Sequence, residues 1–125
     1  MHRKVVLIVE DSPSVRMHIR VILEKANISL VEAANKKTMM DNIEQSGKPV
    51  DLVIMDLGLK RDSGLDLIKI LKSDERYNEI PVFVMTANAQ KDSILQAKNL
   101  GVAGYLLKPI NKEDFLQRIG RILGI

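Results

Sequence analysis

Charged and hydroxyl side chains follow four apolar segments of this 125-residue chain, at the point where each segment ends. Glu10 and Asp11 follow the first segment, Asp56 the third, Thr86 the fourth and Lys108 the fifth. Carboxylates 4–5 Å apart repel each other by roughly 3–4 kcal/mol per pair, so such a cluster favours a bound cation. Mg²⁺ suits it, because Mg²⁺ takes carboxylate and phosphate oxygens as ligands. The residue types therefore predict a metal-dependent phosphoryl site.

The phosphoryl chemistry that fits these side chains is attack by a carboxylate. An Asp side chain can act as a nucleophile and form an aspartyl-phosphate, and we assign this role to Asp56. Phosphoryl transfer needs in-line positioning and neutralisation of charge, which Lys108 supplies as a mobile point charge. Thr86 is expected to donate a hydrogen bond to a phosphoryl oxygen, and the small Ala87 beside it leaves room for the group to enter.

The same carboxylates predict how Mg²⁺ is held. Asp11 and Asp56 are the expected direct ligands, because Mg²⁺ is commonly bound through one or two carboxylates and keeps several waters. Glu10 acts either directly or through a water molecule. The backbone carbonyl of Gly58, two residues after Asp56, can supply a further oxygen.

Five apolar segments alternate with five helical patterns along the chain. The segments are mostly apolar throughout, as expected of strands covered on both faces, whereas residues 28–33 alternate as in an edge strand. We predict strands over residues 5–9, 28–33, 52–55, 82–85 and 104–107. Apolar stripes at helical spacing, with Ser12 and Asn111 as N-caps of the first and last, predict helices over residues 13–26, 36–45, 64–73, 92–100 and 112–123.

This alternation predicts an α/β fold. Successive βα units form a parallel sheet with helices on both faces and right-handed crossovers. We expect a five-stranded parallel sheet in the order 2-1-3-4-5, the doubly wound (βα)5 sandwich of flavodoxin-like folds. The topological switch then lies between strands 1 and 3, where ligands bind at the carboxyl ends. Asp11 and Asp56 follow these two strands, so sequence order and topology select the same spot.

Composition limits the remaining possibilities. With 46% apolar and 28% charged residues, the chain is expected to form one domain spanning residues 1–125. The absence of Cys excludes disulfides and thiolate metal sites, and it fits a reducing cytoplasm. No apolar run approaches the length of a membrane span, so membrane association is not expected. The net charge of +3 is mild and aromatic residues make up 3%, which argues against direct nucleic-acid binding.

Together these residues resemble the receiver domain of two-component response regulators, and the single-domain chemotaxis-type regulators in particular. The resemblance covers essentially the whole chain. The loop from Asp56 to Gly64 has the family's spacing between the acceptor Asp and the Gly that opens the next helix. The other matching motifs follow the remaining strands and are Glu10-Asp11, Thr86-Ala87, and Tyr105 with Lys108-Pro109.

Three positions depart from the family pattern or vary within it. Lys60 stands where the family commonly has Pro, and we expect this change to loosen the loop without touching the chemistry. Gly58 and Asn88 occupy positions that are thought to tune dephosphorylation, so the lifetime of the phosphoryl group stays open.

The resemblance implies the rest of the mechanism. Asp56 accepts a phosphoryl group from a histidine kinase, a phosphotransfer protein or a small phosphodonor. Thr86 then moves toward the phosphoryl group, Tyr105 swings inward, and the Lys108-Pro109 peptide is cis. The face formed by helix 4, strand 5 and helix 5 changes its affinity for a downstream effector protein or output domain. Such a domain signals as a monomer or as a phosphorylation-dependent dimer and is not a conventional enzyme.

Three other functions are compatible with this fold, and particular residues argue against each. An aspartyl-phosphate hydrolase typically has a second Asp two residues after its nucleophile, where this chain has Gly58. A flavin carrier needs a phosphate loop rich in Ser, Thr and Gly, but Glu10 and Asp11 put negative charge there. A receiver-like module that is never phosphorylated is disfavoured because every chemical residue is present, and absent Mg²⁺ binding would support it.

Overall fold

The chain forms five strands and five helices that alternate along the sequence. The structure, a computed structural model, describes residues 3–45, 47–87 and 91–125. The strands are β1 (Val5–Val9), β2 (Ser29–Ala33), β3 (Leu52–Asp56), β4 (Val82–Thr86) and β5 (Gly104–Leu107). The helices are α1 (Pro13–Lys25), α2 (Lys36–Gln45), α3 (Gly64–Ser73), α4 (Lys91–Asn99) and α5 (Lys112–Leu123).

The strands form one parallel sheet in the order β2-β1-β3-β4-β5, which confirms the expected α/β topology. β1, β3 and β4 are buried along their whole length, in agreement with their unbroken apolar sequences. β2 lies at one edge, and four of its five residues are only partly buried. The carboxyl ends of β1 and β3 are neighbours at the centre of the sheet, as the strand order requires.

Helices cover both faces of the sheet. On one face Ile19 of α1 and Phe115 of α5 pack in a core cluster with the inward side chains of the central strands. On the other face Met39 of α2, Leu67 of α3 and Ala97 of α4 belong to a second cluster. These two buried layers hold the central strands in place and so fix where their carboxyl ends meet. Over the described part of the chain, no helix combines the length and the apolar character that a membrane crossing requires.

The helix starts agree with the N-caps read from the sequence. Ser12 Oγ accepts a hydrogen bond from Val15 N–H at 3.3 Å, and Asn111 Oδ1 accepts one from Asp114 N–H at 2.9 Å. Several boundaries differ by one residue from expectation: β3 and β4 each extend one residue further and α1 ends one residue earlier. Helix α4 runs one residue earlier at each end than expected. Strand β2 starts one residue later, because Ile28 N–H completes the turn after α1 through a hydrogen bond to the carbonyl of residue 23.

Candidate functional site

Three carboxylates meet at the carboxyl ends of β1 and β3. Glu10 and Asp11 directly follow β1 and Asp56 is the last residue of β3. Each offers one carboxylate oxygen such that the three oxygens lie within 4.8 Å of one another. Glu10 and Asp56 are buried, with 1% and 2% of their surface exposed, whereas Asp11 is partly exposed. The cluster is thus embedded on its inner side and accessible through Asp11.

Within the described residues, the side-chain cation that contacts these carboxylates is Lys108. It follows β5, and its Nζ lies 2.7 Å from Glu10 Oε2 and 3.3 Å from Asp56 Oδ2. The N–H of Lys108 donates to the carbonyl of Thr86 at 2.9 Å, which ties the lysine backbone to the end of β4. One ammonium against three carboxylates leaves an excess of two negative charges when all four groups are ionised.

Both oxygens of the Glu10 carboxylate are engaged. Oε2 accepts from Lys108, and Oε1 accepts from Ser12 N–H at 3.1 Å. Burial raises the pKa of the Glu10 carboxyl and the negative charge of Asp56 adds to the rise, against the lowering effect of the hydrogen bonds from Lys108 and Ser12. Burial alone lowers the pKa of the Lys108 ammonium, but the hydrogen bond to Glu10 and the charge of Asp56 outweigh it, and this pKa is raised.

The Asp56 carboxylate is held by the loop that follows it. Gly58 N–H donates to Asp56 Oδ1 at 2.9 Å, a bond between residues two apart. Gly64, at the start of α3, approaches the Asp56 backbone so closely that a Cβ there would lie 2.5 Å from the Asp56 carbonyl oxygen. Only glycine fits this approach without displacing backbone. At Gly58, by contrast, a Cβ would meet Asp56 Oδ1 at 3.5 Å, an ordinary contact.

Lys60 contacts the acidic cluster through its backbone, a contact that the sequence reasoning did not foresee. Its N–H donates to Asp11 Oδ2 at 2.8 Å, between residues 49 positions apart. The expectation considered only the loss of proline's rigid ring, and a looser loop stays a prediction. Replacing proline also restores a backbone N–H, and this donor lies within reach of the Asp11 carboxylate.

Arg16 is a site neighbour that the sequence reasoning missed. Its Nη1 donates to the carbonyl of Glu10 at 2.7 Å, and its Nε lies 3.3 Å from Glu32 Oε1 on β2. Arg20 binds both oxygens of Glu32, at 2.9 and 2.8 Å. These contacts fasten the backbone of the β1–α1 loop to α1 and to the sheet edge, and an arginine on a helix gives no sequence signal of such a role.

The two expected switch residues lie on the neighbouring strands β4 and β5. Thr86 is buried at the end of β4, next to the strand that carries Asp56. Tyr105 on β5 is in register with residue 84 and packs against the second core cluster. Lys98 Nζ of α4 lies 5.4 Å from the Tyr105 ring centre, and Arg118 of α5 donates to the Tyr105 carbonyl at 3.2 Å. Tyr105 therefore connects β5 with the two helices beside it.

Three further expectations concern loop positions that follow β3, β4 and β5. The Lys108-Pro109 peptide is cis, in agreement with the resemblance. Asn88, the second position expected to tune dephosphorylation, lies outside the described residues. The first, Gly58, is exposed and stands beside the Asp56 carboxylate.

The donor set of the acidic cluster fits Mg²⁺. Carboxylate oxygens are hard ligands, and Mg²⁺ is usually held by one or two of them together with waters and phosphate oxygens. Asp11, Asp56 and Glu10 each offer such a carboxylate oxygen, and the three oxygens lie close enough together to surround one ion. The excess of two negative charges matches the charge of one divalent cation.

Comparisons with known proteins give a consistent family. Residues 6–120 match the family model described as response regulator receiver domain. The chain is 32% identical over 120 residues to the phosphate regulon transcriptional regulatory protein PhoB of Pseudomonas aeruginosa, covering 96% of this chain and 52% of PhoB. It therefore spans about half the length of that relative. It is 30% identical over 117 residues to the chemotaxis protein CheY of the same organism, covering 94% of each chain.

Solved structures agree with this result. A response regulator receiver protein from Pseudomonas putida has a TM-score of 0.89 and 26% identity, covering 97% of this chain and 98% of its own. The receiver domain of a sensor histidine kinase from Pseudomonas aeruginosa, with a magnesium ion coordinated in its active site cleft, has a TM-score of 0.86. At 22% identity, with 99% of this chain and 100% of that one covered, this second likeness shows the fold alone. The family match over nearly the whole chain, on this sheet and with these carboxylates at its carboxyl edge, shows that the chain belongs to the response regulator receiver domain family of two-component signalling.

Proposed function

We propose that this receiver domain accepts a phosphoryl group on Asp56 and thereby switches its affinity for a downstream partner. The observation that carries the proposal is the convergence of three carboxylate oxygens within 4.8 Å, with the Lys108 ammonium 3.3 Å from Asp56. The family match over residues 6–120 supports assigning residues 1–125 to one receiver domain. In this role the domain signals and does not turn over a substrate in the manner of a conventional enzyme.

The chemical step is a phosphoryl transfer to a carboxylate. An Asp56 oxygen forms a bond to phosphorus while the bond from phosphorus to the donor breaks, and the leaving group keeps that electron pair. The donor is the phosphohistidine of a kinase or phosphotransfer protein, or a small acyl phosphate. Lys108 stabilises the added oxygens as a point charge, and Thr86 supplies a hydroxyl donor. The hydrogen bond from Gly58 N–H keeps the Asp56 carboxylate oriented.

Mg²⁺ is the expected cofactor of this step. Asp11, Asp56 and the Gly58 carbonyl would hold it, with Glu10 acting through water or directly. When bound, Mg²⁺ supplies neutralisation of phosphoryl charge. The magnesium ion in the receiver domain of the Pseudomonas aeruginosa sensor kinase supports this assignment by family analogy.

The proposed output surface consists of α4, β5 and α5. Leu95 and Leu107 expose 56% and 43% of their surface on this side, and Tyr105 connects its three elements. Phosphorylation adds charge and hydrogen-bond acceptors near Thr86, so the packing of Thr86 and Tyr105 shifts and the affinity of this surface changes. The partner is an effector protein or an output domain, bound by a monomer or by a phosphorylation-dependent dimer.

Intact-mass spectrometry tests the acceptor directly. Purified protein incubated with acetyl phosphate and Mg²⁺ should gain one phosphoryl mass, which hydroxylamine removes and EDTA prevents. Asp56→Asn should gain none, whereas Asp66→Asn, which changes an exposed acid on α3, should gain as much as the wild type. Equal labelling of D56N and the wild type would show that Asp56 is not the acceptor.

A further inference from the structure

The loop between β3 and α3, residues 57–63, is fastened to other parts of the chain by hydrogen bonds. Lys60 N–H donates to Asp11 Oδ2 at 2.8 Å. Asp62 Oδ2 accepts from the N–H of Lys36 at the start of α2, at 2.9 Å. At the end of the loop Ser63 caps α3. The loop therefore presents the Lys60 amide to Asp11 from an anchored backbone.

The amide of Lys60 leaves the Asp11 carboxylate able to bind a metal. Oδ2 carries the hydrogen bond, and within the described residues Oδ1 receives none. A metal-bound carboxylate is commonly hydrogen-bonded by an outer partner, which fixes its orientation. A backbone N–H in an anchored loop is a good partner of this kind, because it has no side-chain rotamers to restrict. A cavity of about 170 Å³, lined by Asp11, Lys60 and Asp62 among others, lies against this contact.

On the basis of the proposed function, we propose that the backbone N–H of Lys60 is a positioning group for the Asp11 metal ligand. It holds the carboxylate in the cluster with Glu10 and Asp56 before Mg²⁺ arrives. The Lys60 side chain takes no part in this positioning, which involves only the backbone N–H. Proline at position 60 would remove the donor, since proline has no N–H.

Two substitutions at one position separate the amide from the side chain. Lys60→Ala and Lys60→Pro both remove the ammonium group, but only K60P removes the N–H. Mg²⁺ affinity of the unphosphorylated proteins is measured by isothermal titration calorimetry and by shifts of amide resonances, with circular dichroism to verify the fold. Loss of an outer partner typically weakens metal binding 10–100-fold, so K60P should bind Mg²⁺ about tenfold more weakly than K60A.

The outcomes separate this inference from the proposed function. If the wild type binds no Mg²⁺, the metal assignment fails and the positioning role fails with it. If the wild type binds Mg²⁺ but K60P binds it as tightly as K60A, or more tightly, only the positioning role is overturned.

Amide hydrogen exchange gives a second test that does not depend on the folding of K60P. In the metal-free protein, Asp11→Ala should speed exchange of the Lys60 amide by roughly fivefold, as expected for the loss of one hydrogen bond. Asp66→Ala, which changes an exposed acid outside the cluster, should leave the rate unchanged. An equal rate in D11A and the wild type would overturn the proposal.

Discussion

Replacing Asp56 by Asn should make the metal-free protein more stable, although it removes the phosphoryl acceptor. Asparagine keeps an oxygen that can accept the hydrogen bond from Gly58 N–H, and it replaces the charged Oδ2 that faces Lys108 by a neutral NH2 group. In the wild type, the negative charge of Asp56 repels the carboxylates of Glu10 and Asp11 and attracts the Lys108 ammonium. The sign of the effect therefore depends on whether two repulsions outweigh one attraction.

The distances in the cluster give the size of each contribution. At an effective dielectric near 20, a carboxylate pair at the 4.8 Å limit repels by about 3.5 kcal/mol, and closer pairs repel more. The attraction between Asp56 Oδ2 and Lys108 Nζ at 3.3 Å is about 5 kcal/mol on the same scale. Two repulsions exceed it by about 2 kcal/mol, and water around the partly exposed Asp11 lowers the difference to about 1–2 kcal/mol. Relief from burying the Asp56 charge acts in the same direction.

Thermal unfolding in EDTA at pH 8 measures this balance. For a domain of this size 1 kcal/mol corresponds to about 3–5 °C, so the Tm of D56N should exceed that of the wild type by roughly 3–10 °C. Asp66→Asn serves as the control, because it removes an exposed acid outside the cluster and should leave the Tm within about 2 °C. A D56N protein that melts at or below the wild-type temperature would refute the charge-repulsion reasoning.

Two other substitutions test neighbouring parts of the site. Mg²⁺ should raise the Tm of the wild type by binding only the folded state, and Asp11→Asn should weaken this response. An unchanged response in differential scanning fluorimetry would remove Asp11 from the ligand set. Gly64→Ala should destabilise the fold by about 1–3 kcal/mol in urea unfolding, because its Cβ would lie 2.5 Å from the Asp56 carbonyl oxygen. Gly58→Ala is the matched control, and an equal loss in both variants would contradict the steric argument.

The fold could be predicted because local and global signals agree. The strands covered on both faces have unbroken apolar sequences. Helices α1 and α5 begin at N-cap residues whose side chains accept hydrogen bonds from backbone N–H groups of the first turn, as expected. The topology of a doubly wound sheet then brings residues 10, 11 and 56 together with no knowledge of side-chain contacts. The carboxylate cluster and the position of Lys108 follow from that topology.

The contacts that the sequence did not reveal are those made by backbone groups. The N–H that Lys60 offers to Asp11 is the same in every residue except proline, so residue type carries almost no information about it. In the Arg16 contact the backbone group is the acceptor: Arg16 donates to the Glu10 carbonyl, a group that every residue has. The Lys60 contact joins two loops 49 positions apart, and the Arg16 contact depends on how α1 lies against the end of β1, so only coordinates reveal either one.

The charge balance of the cluster also explains how phosphorylation could act as a signal under the proposed function. Lys108 compensates one of three carboxylates, and a divalent cation compensates the other two, so the loaded site is close to neutral. Phosphorylation removes the carboxylate charge of Asp56 but adds a phosphoryl group with a charge of about −1.5 to −2. The site then has an uncompensated negative charge and new acceptor oxygens. Two nearby groups can interact with this charge and these oxygens. One is the Lys108 ammonium, which donates to Glu10 in the unphosphorylated protein, and the other is the buried Thr86, whose carbonyl accepts from Lys108 N–H. Under the proposed function, we therefore expect a change in the charge of Asp56 to act first on the ends of β4 and β5, next to the proposed output surface.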